Sequence, residues 1–348
     1  MTAPAAALAS APIIPPERLP PLHPAAPDIQ AVEQAAERIR GEAVLTPLLE
    51  VPAANAILGG RLLIKAEMLQ RTGSFKFRGA YNSVAALAPD VRARGVVTYS
   101  SGNHAQGLAA AAQAMGVPAL IVMPADAPAI KVENTKGYGA EVVFYDRYTE
   151  SREKIGERLA NERGATIIRP YDEPNVIAGQ GTCGLETAMQ AAAKGAKLDA
   201  VLVPAGGGGL VAGVSTAIAA RSPGTPVFCC EPAGFDDTTR SLAAAEWIEN
   251  DPAARSFCDA LLASTPGRIT FTINARRLSG GLVVTDAEVA EAMRFAFRHF
   301  KIVVEPGGAV GLAAILAGRI DIRGRTIAVV CSGGNVDPAL YSEVLAGG

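Results

Sequence analysis

The chain lacks several features that would assign it to a function class by composition alone. Its 348 residues carry 32 Lys and Arg against 34 Asp and Glu, so no basic excess favours nucleic-acid binding. Only three histidines occur, far apart in sequence, which argues against a histidine-rich zinc site. No run of about 18 apolar residues lacks a charge or a Pro/Gly interruption, so no membrane span is expected.

Cysteines are few, and no export signal is expected. The five cysteines are odd in number and form no C-x-x-C pair, which predicts reduced, mostly buried thiols in a cytoplasmic protein. Residues 1–27 are dense in Ala and Pro, without the charged start and apolar core of a secretory signal. Because its prolines would break a helix repeatedly, we expect this segment to be a disordered extension.

Short apolar runs that alternate with helix-like segments predict an α/β fold with a largely parallel sheet. Gly116 is a candidate helix C-cap, and Thr285 with Glu288 forms a candidate capping box. Residues 240–280 lack clean strand periodicity, and we expect an irregular, partly helical excursion there. The candidate strands are RLLIKAE, GVVTYS, PALIVMP, AEVVFYD, ATIIRP, DAVLVPA, TPVFCCE and TIAVVCS.

A glycine-rich loop, PAGGGGL at residues 204–210, follows one predicted strand and precedes a helix-like segment. Four adjacent glycines let the backbone approach a ligand closely, and N–H groups at a helix start bind phosphate. A flexible turn is the alternative, but the strand–loop–helix position favours a phosphate cradle. The loop has neither the lysine of a nucleotide P-loop nor the spacing of a dinucleotide fingerprint.

Two further loops follow predicted strands. In SSGNHAQG, residues 100–107, Ser100, Ser101 and Asn103 offer donors at a helix start, which suits a carboxylate as well as ordinary N-capping. In CSGGN, residues 331–335, Ser332 follows an apolar strand. Ligands of open α/β sheets gather beyond the carboxyl ends of the strands, where all these loops would lie.

A single lysine, Lys76 in the stretch TGSFKFRGA, lies at a predicted strand-to-helix turn. A phosphate cradle together with a reactive lysine suggests pyridoxal 5′-phosphate, whose aldehyde forms a Schiff base with an amine.

The motifs GSFKFRGA, SSGNHAQG, PAGGGGL and CSGGN, in this order, resemble those of the fold-type II pyridoxal-phosphate enzymes of the serine/threonine dehydratase and serine racemase family. The resemblance runs from about residue 28 to 345. It implies a tryptophan synthase β-like fold, with two open, twisted, mostly parallel sheets flanked by helices. It also implies a large cofactor-binding domain at 28–94 and 173–348 and a small substrate-gating domain at 95–172.

The resemblance also implies roles for individual residues. Lys76 matches the Schiff-base lysine, Phe75 the residue packed beside the pyridine ring, and Asn103 the partner of the cofactor 3-hydroxyl. Ser332 would face the pyridine nitrogen, and Glu305 would support the ring edge. The phosphate would be held by Gly206, Gly207, Gly208, Gly209 and Leu210. The substrate would contact Ser100, Ser101, Gly102, Asn103 and His104; beyond this contact, His104 is expected to be a structural loop residue.

The stretch EPAGFDD, residues 231–237, also matches the family. Glu231, Asp237 and the carbonyl of Phe235 match the ligands of a divalent cation in related enzymes, and oxygen ligands favour Mg²⁺, Ca²⁺ or Mn²⁺. An acidic, solvated turn is the alternative.

The function implied is β-elimination from a β-hydroxy amino acid, such as L-threonine or L-serine, to a 2-oxo acid and ammonia. Lys76 would remove the Cα proton. A serine or aspartate racemase is the alternative, because Ser101 stands where racemases have their second acid/base, whereas Tyr171 resembles the aromatic residue of dehydratases. Dehydratases of 3-hydroxyaspartate or of a hydroxyectoine-derived intermediate, and a non-catalytic binding module, stay open. The partner expected is a small amino-acid substrate, within a homodimer or homotetramer.

Overall fold

The computed structural model describes residues 13–127 and 129–347 of the chain. Within these residues the chain alternates strands and helices, as the apolar periodicity predicts. The strands are β1 (Leu48–Leu49), β2 (Arg61–Ala66), β3 (Val96–Tyr99), β4 (Ala119–Pro124), β5 (Glu141–Tyr145), β6 (Thr166–Ile167), β7 (Ala200–Pro204), β8 (Val227–Pro232), β9 (Gly280–Val284) and β10 (Thr326–Cys331).

These strands form two separate sheets. The larger one has the order β1-β2-β10-β7-β8-β9, and only the β1–β2 pair in it is antiparallel. The smaller one, of order β5-β4-β3-β6, is parallel throughout and lies entirely within residues 95–172. We call the elements of residues 95–172 the small body and the rest of the described chain the large body. The α/β class and the two mostly parallel sheets are as predicted.

Helices flank both sheets. Those before the glycine-rich loop are α1 (Ile29–Arg38), α2 (Pro52–Leu58), α3 (Lys76–Ala85), α4 (Pro89–Arg92), α5 (Asn103–Met115), α6 (Ala129–Gly137), α7 (Arg152–Arg163) and α8 (Pro174–Ala193). Those after it are α9 (Gly209–Arg221), α10 (Asp237–Ala244), α11 (Arg268–Arg277), α12 (Asp286–Phe295), α13 (Pro306–Leu316) and α14 (Pro338–Ala346). Short helical turns cover Pro16–Arg18, Glu67–Leu69, Arg71–Gly73, Asp259–Leu261 and Ala296–Phe300. None of the helices in residues 13–127 and 129–347 has the length and apolarity needed to cross a bilayer.

Local signals in the sequence account for several element boundaries. Helix α5 ends at Gly116, whose φ of 65° is the left-handed conformation of a C-cap. Helix α12 begins with the predicted capping box, in which Thr285 and Glu288 each bond the other's backbone N–H. Both predictions are confirmed. Residues 240–280 are partly helical, as expected, since they include the end of α10 and all of α11.

The N-terminal segment differs in part from the expectation. Residues 1–12 lie outside the described chain, but residues 13–27 are not a disordered extension. Ile14 is buried, the Ile13 N–H donates to the Leu278 carbonyl at 3.4 Å, and the His23 N–H donates to the Thr272 hydroxyl at 3.1 Å. The prolines do prevent a long helix, but they allow a short helical turn and an ordered segment that packs along α11.

Candidate active site

A cavity of about 470 Å³ lies between the two bodies, at the carboxyl ends of their strands. The small body contributes the loop after β3 to its lining, and the large body contributes the loops after β7 and β10. The structure thereby brings the predicted cofactor and substrate residues to one place. Those that line the cavity are Phe75, Lys76, Ser100, Ser101, Gly102, Asn103, His104, Gly206, Gly207, Gly208, Gly209, Leu210, Glu305 and Ser332.

Lys76 is the first residue of α3, and its side chain faces the cavity. Its Nζ donates to the Pro170 carbonyl at 2.7 Å and lies 5.1 Å from the centroid of the Phe75 ring. Desolvation lowers the pKa of Lys76 to about 8, although the charge of Glu305 opposes the shift. Such an amine is partly neutral near physiological pH and therefore nucleophilic.

The turn that carries Lys76 is fixed to the end of β10. Ser74 pairs with Gly333 in an isolated antiparallel bridge, and the Phe75 N–H donates to the Ser332 carbonyl at 3.0 Å. These contacts place the GSFKFRGA and CSGGN motifs side by side, although they lie more than 250 residues apart in sequence.

Asn103 belongs to a chain of side-chain hydrogen bonds under the cavity. Its Nδ2 donates to Glu305 Oε1 at 2.7 Å, and its Oδ1 accepts from Asn335 Nδ2 at 2.8 Å. Desolvation and then the charge of Asp259 raise the pKa of Glu305 to about 8. Glu305 thus orients the Asn103 amide, which is a more specific role than the support expected from the sequence.

The glycine-rich loop connects β7 to α9. The Gly207 carbonyl accepts from the Gly267 N–H at 3.1 Å and from the Thr270 hydroxyl at 2.7 Å, and the Gly208 carbonyl accepts from the Ala212 N–H at 3.0 Å. These carbonyls are therefore engaged, while the first N–H groups of α9 have no acceptor within the helix. The loop is suited to an anion such as a phosphate.

Two observations show why this loop requires glycine. Gly208 has a φ of 86°, which disfavours any residue with a Cβ. A Cβ on Gly207 would lie 2.2 Å from the Tyr171 ring, so a side chain here would displace Tyr171 or fill the cavity. A narrow backbone cradle facing a reactive lysine fits a phosphorylated aldehyde such as pyridoxal 5′-phosphate.

The loop after β3 presents the start of α5 to the cavity. The Gly102 N–H donates to Ser100 Oγ at 3.3 Å, and Ser101 lines the cavity beside it. His104 is buried, and its Nε2 lies 3.2 Å from the Ile168 carbonyl. Desolvation and the Lys76 charge lower the pKa of His104 to about 3, so its imidazole is neutral at physiological pH.

The candidate metal ligands Glu231, Phe235 and Asp237 do not line this cavity. The side chains of Glu231 and Asp237 are fully buried. Glu231 accepts from the Thr238 N–H at 3.1 Å, from the Thr239 N–H at 2.8 Å and from the Thr239 hydroxyl at 2.6 Å. Desolvation and the neighbouring Asp237 raise the pKa of Glu231 to about 8. Over residues 13–127 and 129–347, no three or more His, Cys, Asp or Glu side chains converge as a metal cluster. The structure therefore gives no support to the metal expectation beyond a two-carboxylate cluster.

Sequence reasoning missed two residues at the site: Asp172, which supports the helix that holds the glycine-rich loop, and Gln180, which lines the cavity. Asp172 accepts from the Arg268 N–H at 2.9 Å and from the Ile269 N–H at 2.8 Å, and thus caps α11, whose Thr270 bonds the loop. Gln180 lines the cavity, and its Nε2 has no partner among the described residues. Gln180 lies in the stretch AGQGT, whose two glycines are a sequence signal that could have pointed to the site. No such signal accompanies Asp172.

Comparison with known proteins agrees with this geometry. The family model described as pyridoxal-phosphate dependent enzyme matches residues 39–333. An L-threo-3-hydroxyaspartate ammonia-lyase from Pseudomonas sp is 44% identical over 91% of this chain and 98% of its own length. The structure of maize serine racemase has a TM-score of 0.86 at 37% identity, covering 92% of this chain and 98% of its own. The structure of a T.th. threonine deaminase has a TM-score of 0.84 at 45% identity, covering 89% of this chain and 99% of its own.

Proposed function

Because this chain belongs to the family of pyridoxal-phosphate-dependent enzymes, with the fold of its type II members, we propose that it is an ammonia-lyase that eliminates water from a β-hydroxy amino acid. The observation that carries the proposal is the Lys76 amine of lowered pKa, which faces the glycine-rich loop across one cavity. The net products are a 2-oxo acid and ammonia.

Each part of the cavity has a role in this proposal. Lys76 would hold the cofactor, residues 206–210 its phosphate, and Asn103 and Ser332 its ring. When bound, the cofactor acts as an electron sink that acidifies the Cα–H bond of an amino acid. The Lys76 amine takes the Cα proton, since it is the basic group of the cavity with a pKa near neutrality.

The substrate carboxylate is assigned to the start of α5. Backbone N–H groups at this helix terminus, with Ser100 and Ser101, offer donors to an anion. Neutral His104 has no imidazolium proton to donate, and its Nε2 lies 3.2 Å from the Ile168 carbonyl, so we assign it a structural role in the loop. Because this loop belongs to the small body, movement of that body would open and close the cavity, and we propose it as the gating domain.

The test is a screen of L-serine, L-threonine and L-threo-3-hydroxyaspartate for release of 2-oxo acid and ammonia. Borohydride reduction of the cofactor-loaded protein should fix the label on the peptide that contains Lys76. Label on another lysine, or no 2-oxo acid from any of the three, would contradict the proposal.

A racemase is the second candidate, and the position of Ser101 in the cavity lining favours it. Inversion at Cα needs a proton donor on the face opposite Lys76. Chiral chromatography of the residual amino acid in the same screen separates the two functions, because a racemase inverts its substrate without a matching release of 2-oxo acid.

We further propose a divalent cation, Mg²⁺, Ca²⁺ or Mn²⁺, at Glu231, Asp237 and the Phe235 carbonyl. In support, Asp237 Oδ2 is buried without a partner among the described residues, and desolvation raises the pKa of Asp237 to about 6. A cation would relieve both effects. EDTA should lower the melting temperature of the wild-type protein, and added Mg²⁺ should restore it. If EDTA lowers the melting temperature of the Asp237→Asn variant by the same amount, the proposed site is contradicted.

The expected homodimer or homotetramer stays a prediction, which analytical sedimentation would check.

A further inference from the structure

The cavity wall formed by the small body carries more positive charge than the proposed reaction uses. Lys131, on α6, and Arg147, after β5, both line the cavity. Arg152 lines it too, but Arg152 also borders a second cavity of about 220 Å³ and stacks over the Tyr99 ring at 5.7 Å. Lys131 and Arg147 line the larger cavity and not the smaller one.

Neither residue belongs to the two anion-binding sites already proposed. The phosphate would bind at the glycine-rich loop, and the substrate α-carboxylate would bind at the start of α5. The acidic side chains in the lining are Asp259 and Glu305, and the pKa of Glu305 is raised to about 8. A zwitterionic substrate with a plain β-hydroxyl would therefore leave Lys131 and Arg147 facing the cavity with no negative charge from the substrate.

Both cations are held by carboxylates at exposed positions. Lys131 pairs with Asp259 of the large body, so this ion pair spans the cleft between the bodies. Arg147 pairs with Asp126 at 2.7 Å. The exposed side-chain fractions are 22% for Lys131 and 48% for Asp259 in the first pair, and 45% for Arg147 and 53% for Asp126 in the second. Ion pairs with solvent-exposed partners contribute little to stability. A carboxylate that enters the cavity can replace such partners at little cost.

We propose that Lys131 and Arg147 bind a second, distal carboxylate of the substrate and thereby select an acidic β-hydroxy amino acid, of the 3-hydroxyaspartate type. The proposal rests on the β-elimination proposed above and adds its substrate class. Binding exchanges Asp259 for the substrate as the partner of Lys131, so these are specificity-determining residues outside the proton-transfer machinery.

The experiment compares substrates within each variant of the cofactor-loaded enzyme. Lys131→Met and Arg147→Gln should each lower kcat/KM for L-threo-3-hydroxyaspartate about tenfold more than kcat/KM for L-serine, mainly through KM. Lys136→Met, on the same helix, and Arg158→Gln, on α7, are matched controls, because neither side chain lines the cavity. Asp259→Asn should act in the opposite direction and lower KM for the acidic substrate, because Lys131 loses its competing partner.

A binding measurement keeps this proposal separate from the proposed reaction. By calorimetry, L-malate should bind the wild-type enzyme more tightly than L-lactate does, and Lys131→Met should remove that preference. If the wild-type enzyme acts on none of the β-hydroxy amino acids, the proposed reaction fails, while the preference for L-malate still tests the proposed site for the distal carboxylate. An equal loss of kcat/KM for both substrates in the Lys131 and Arg147 variants would overturn this site. So would the absence of a preference for L-malate in the wild-type enzyme.

Discussion

Lys76 and Arg78 lie two residues apart on α3, yet their surroundings are opposite. Arg78 points into the large body and is fully buried, whereas Lys76 faces the cavity. Arg78 meets two carboxylates there. Lys76 has a backbone carbonyl as its hydrogen-bond partner, and no ion pair forms with it among the described residues.

The surroundings of Arg78 form a closed network of charge. Its guanidinium donates to both oxygens of Glu67, at 2.7 and 2.8 Å, and to both oxygens of Glu186, at 2.6 and 2.8 Å. Lys65 donates to Glu186 at 2.5 Å, which adds a second cation. Burial alone would lower the pKa of Arg78, but Glu67 and Glu186 raise it well above the ordinary value. This cation is structural.

The comparison separates a cation that is held from an amine that is kept available. A carboxylate partner would fix the ammonium form of Lys76 and suppress its nucleophilicity, as Glu67 and Glu186 fix the charge of Arg78. Without one, desolvation lowers the pKa of Lys76 to about 8. One helix therefore anchors the large body at one residue and presents a reactive group at another.

The largest expected effect follows from Lys76→Met. We expect kcat for 2-oxo acid release to fall by about 10³-fold or more, since both cofactor attachment and proton transfer are lost. The cofactor-free variant should nevertheless be more stable, by at most about 3 kcal/mol in unfolding free energy at pH 7, since each unit of pKa shift corresponds to about 1.4 kcal/mol. Lys76 binds its proton more weakly in the folded protein than in the unfolded chain, where its pKa is the ordinary 10.5. Burial of the protonated amine therefore destabilises the wild-type fold at pH 7, and this destabilisation disappears as the pH rises from 8 towards 10.5.

Steady-state assays and urea unfolding of both proteins measure the two effects. Lys136→Met is the control, because Lys136 lies against the Phe144 ring on the small body, away from the cavity. A Lys76→Met variant that keeps its activity would refute the role of this amine.

Arg78→Met should give the reverse result. It leaves the fully buried Glu67 and the partly buried Glu186 with too little positive charge, and breaking a buried pair such as Arg78–Glu67 costs about 3–5 kcal/mol of unfolding free energy. Arg163→Met is the matched control: Arg163 also donates to both oxygens of one carboxylate, Glu141, but the pair is about half exposed and contributes at most about 1 kcal/mol. Urea unfolding measures the loss of unfolding free energy in each variant, and the loss should be larger for Arg78→Met. Equal losses would mean that the Arg78 network contributes no more to stability than an exposed ion pair does.

Much of this architecture could be predicted from local sequence patterns. The strand-to-helix alternation, the Gly116 C-cap and the capping box of α12 depend on residues close in sequence, and the structure contains all of them. Strands β1 and β9 escaped prediction, because β1 has only two residues, Leu48–Leu49, and β9, Gly280–Val284, begins with two glycines. The four motifs that line the cavity are also local, which is why the residues of its lining could be named from the sequence, while their individual roles stay predictions.

The network around Arg78 could not be predicted in the same way. Its partners Glu67 and Glu186 come from a turn and a distant helix, and their convergence depends on how α3 and α8 pack. The same holds for Asn335 on Asn103, and for Asp172 on the helix that holds the glycine-rich loop. Local spacing predicts which residues face a site, whereas the residues that position them depend on contacts across the chain.

The smallest expected effect concerns the pH at which Lys76 becomes reactive. In cofactor-free protein, the rate of pyridoxal 5′-phosphate uptake should rise with pH to a midpoint near 8, because the neutral amine is the nucleophile. The negative charge of Glu305 raises the pKa of Lys76, so Glu305→Gln should move the midpoint to lower pH, while the new amide can still accept from Asn103. Because Glu305 itself has a pKa raised to about 8, the two groups titrate as a pair, and the wild-type midpoint belongs to both. Stopped-flow absorbance of cofactor uptake between pH 6 and pH 10 gives the midpoint, with Glu291→Gln on the exposed face of α12 as the control. A midpoint near the ordinary lysine value of about 10.5 would show that burial leaves Lys76 as charged as Arg78, and the comparison between them would fail.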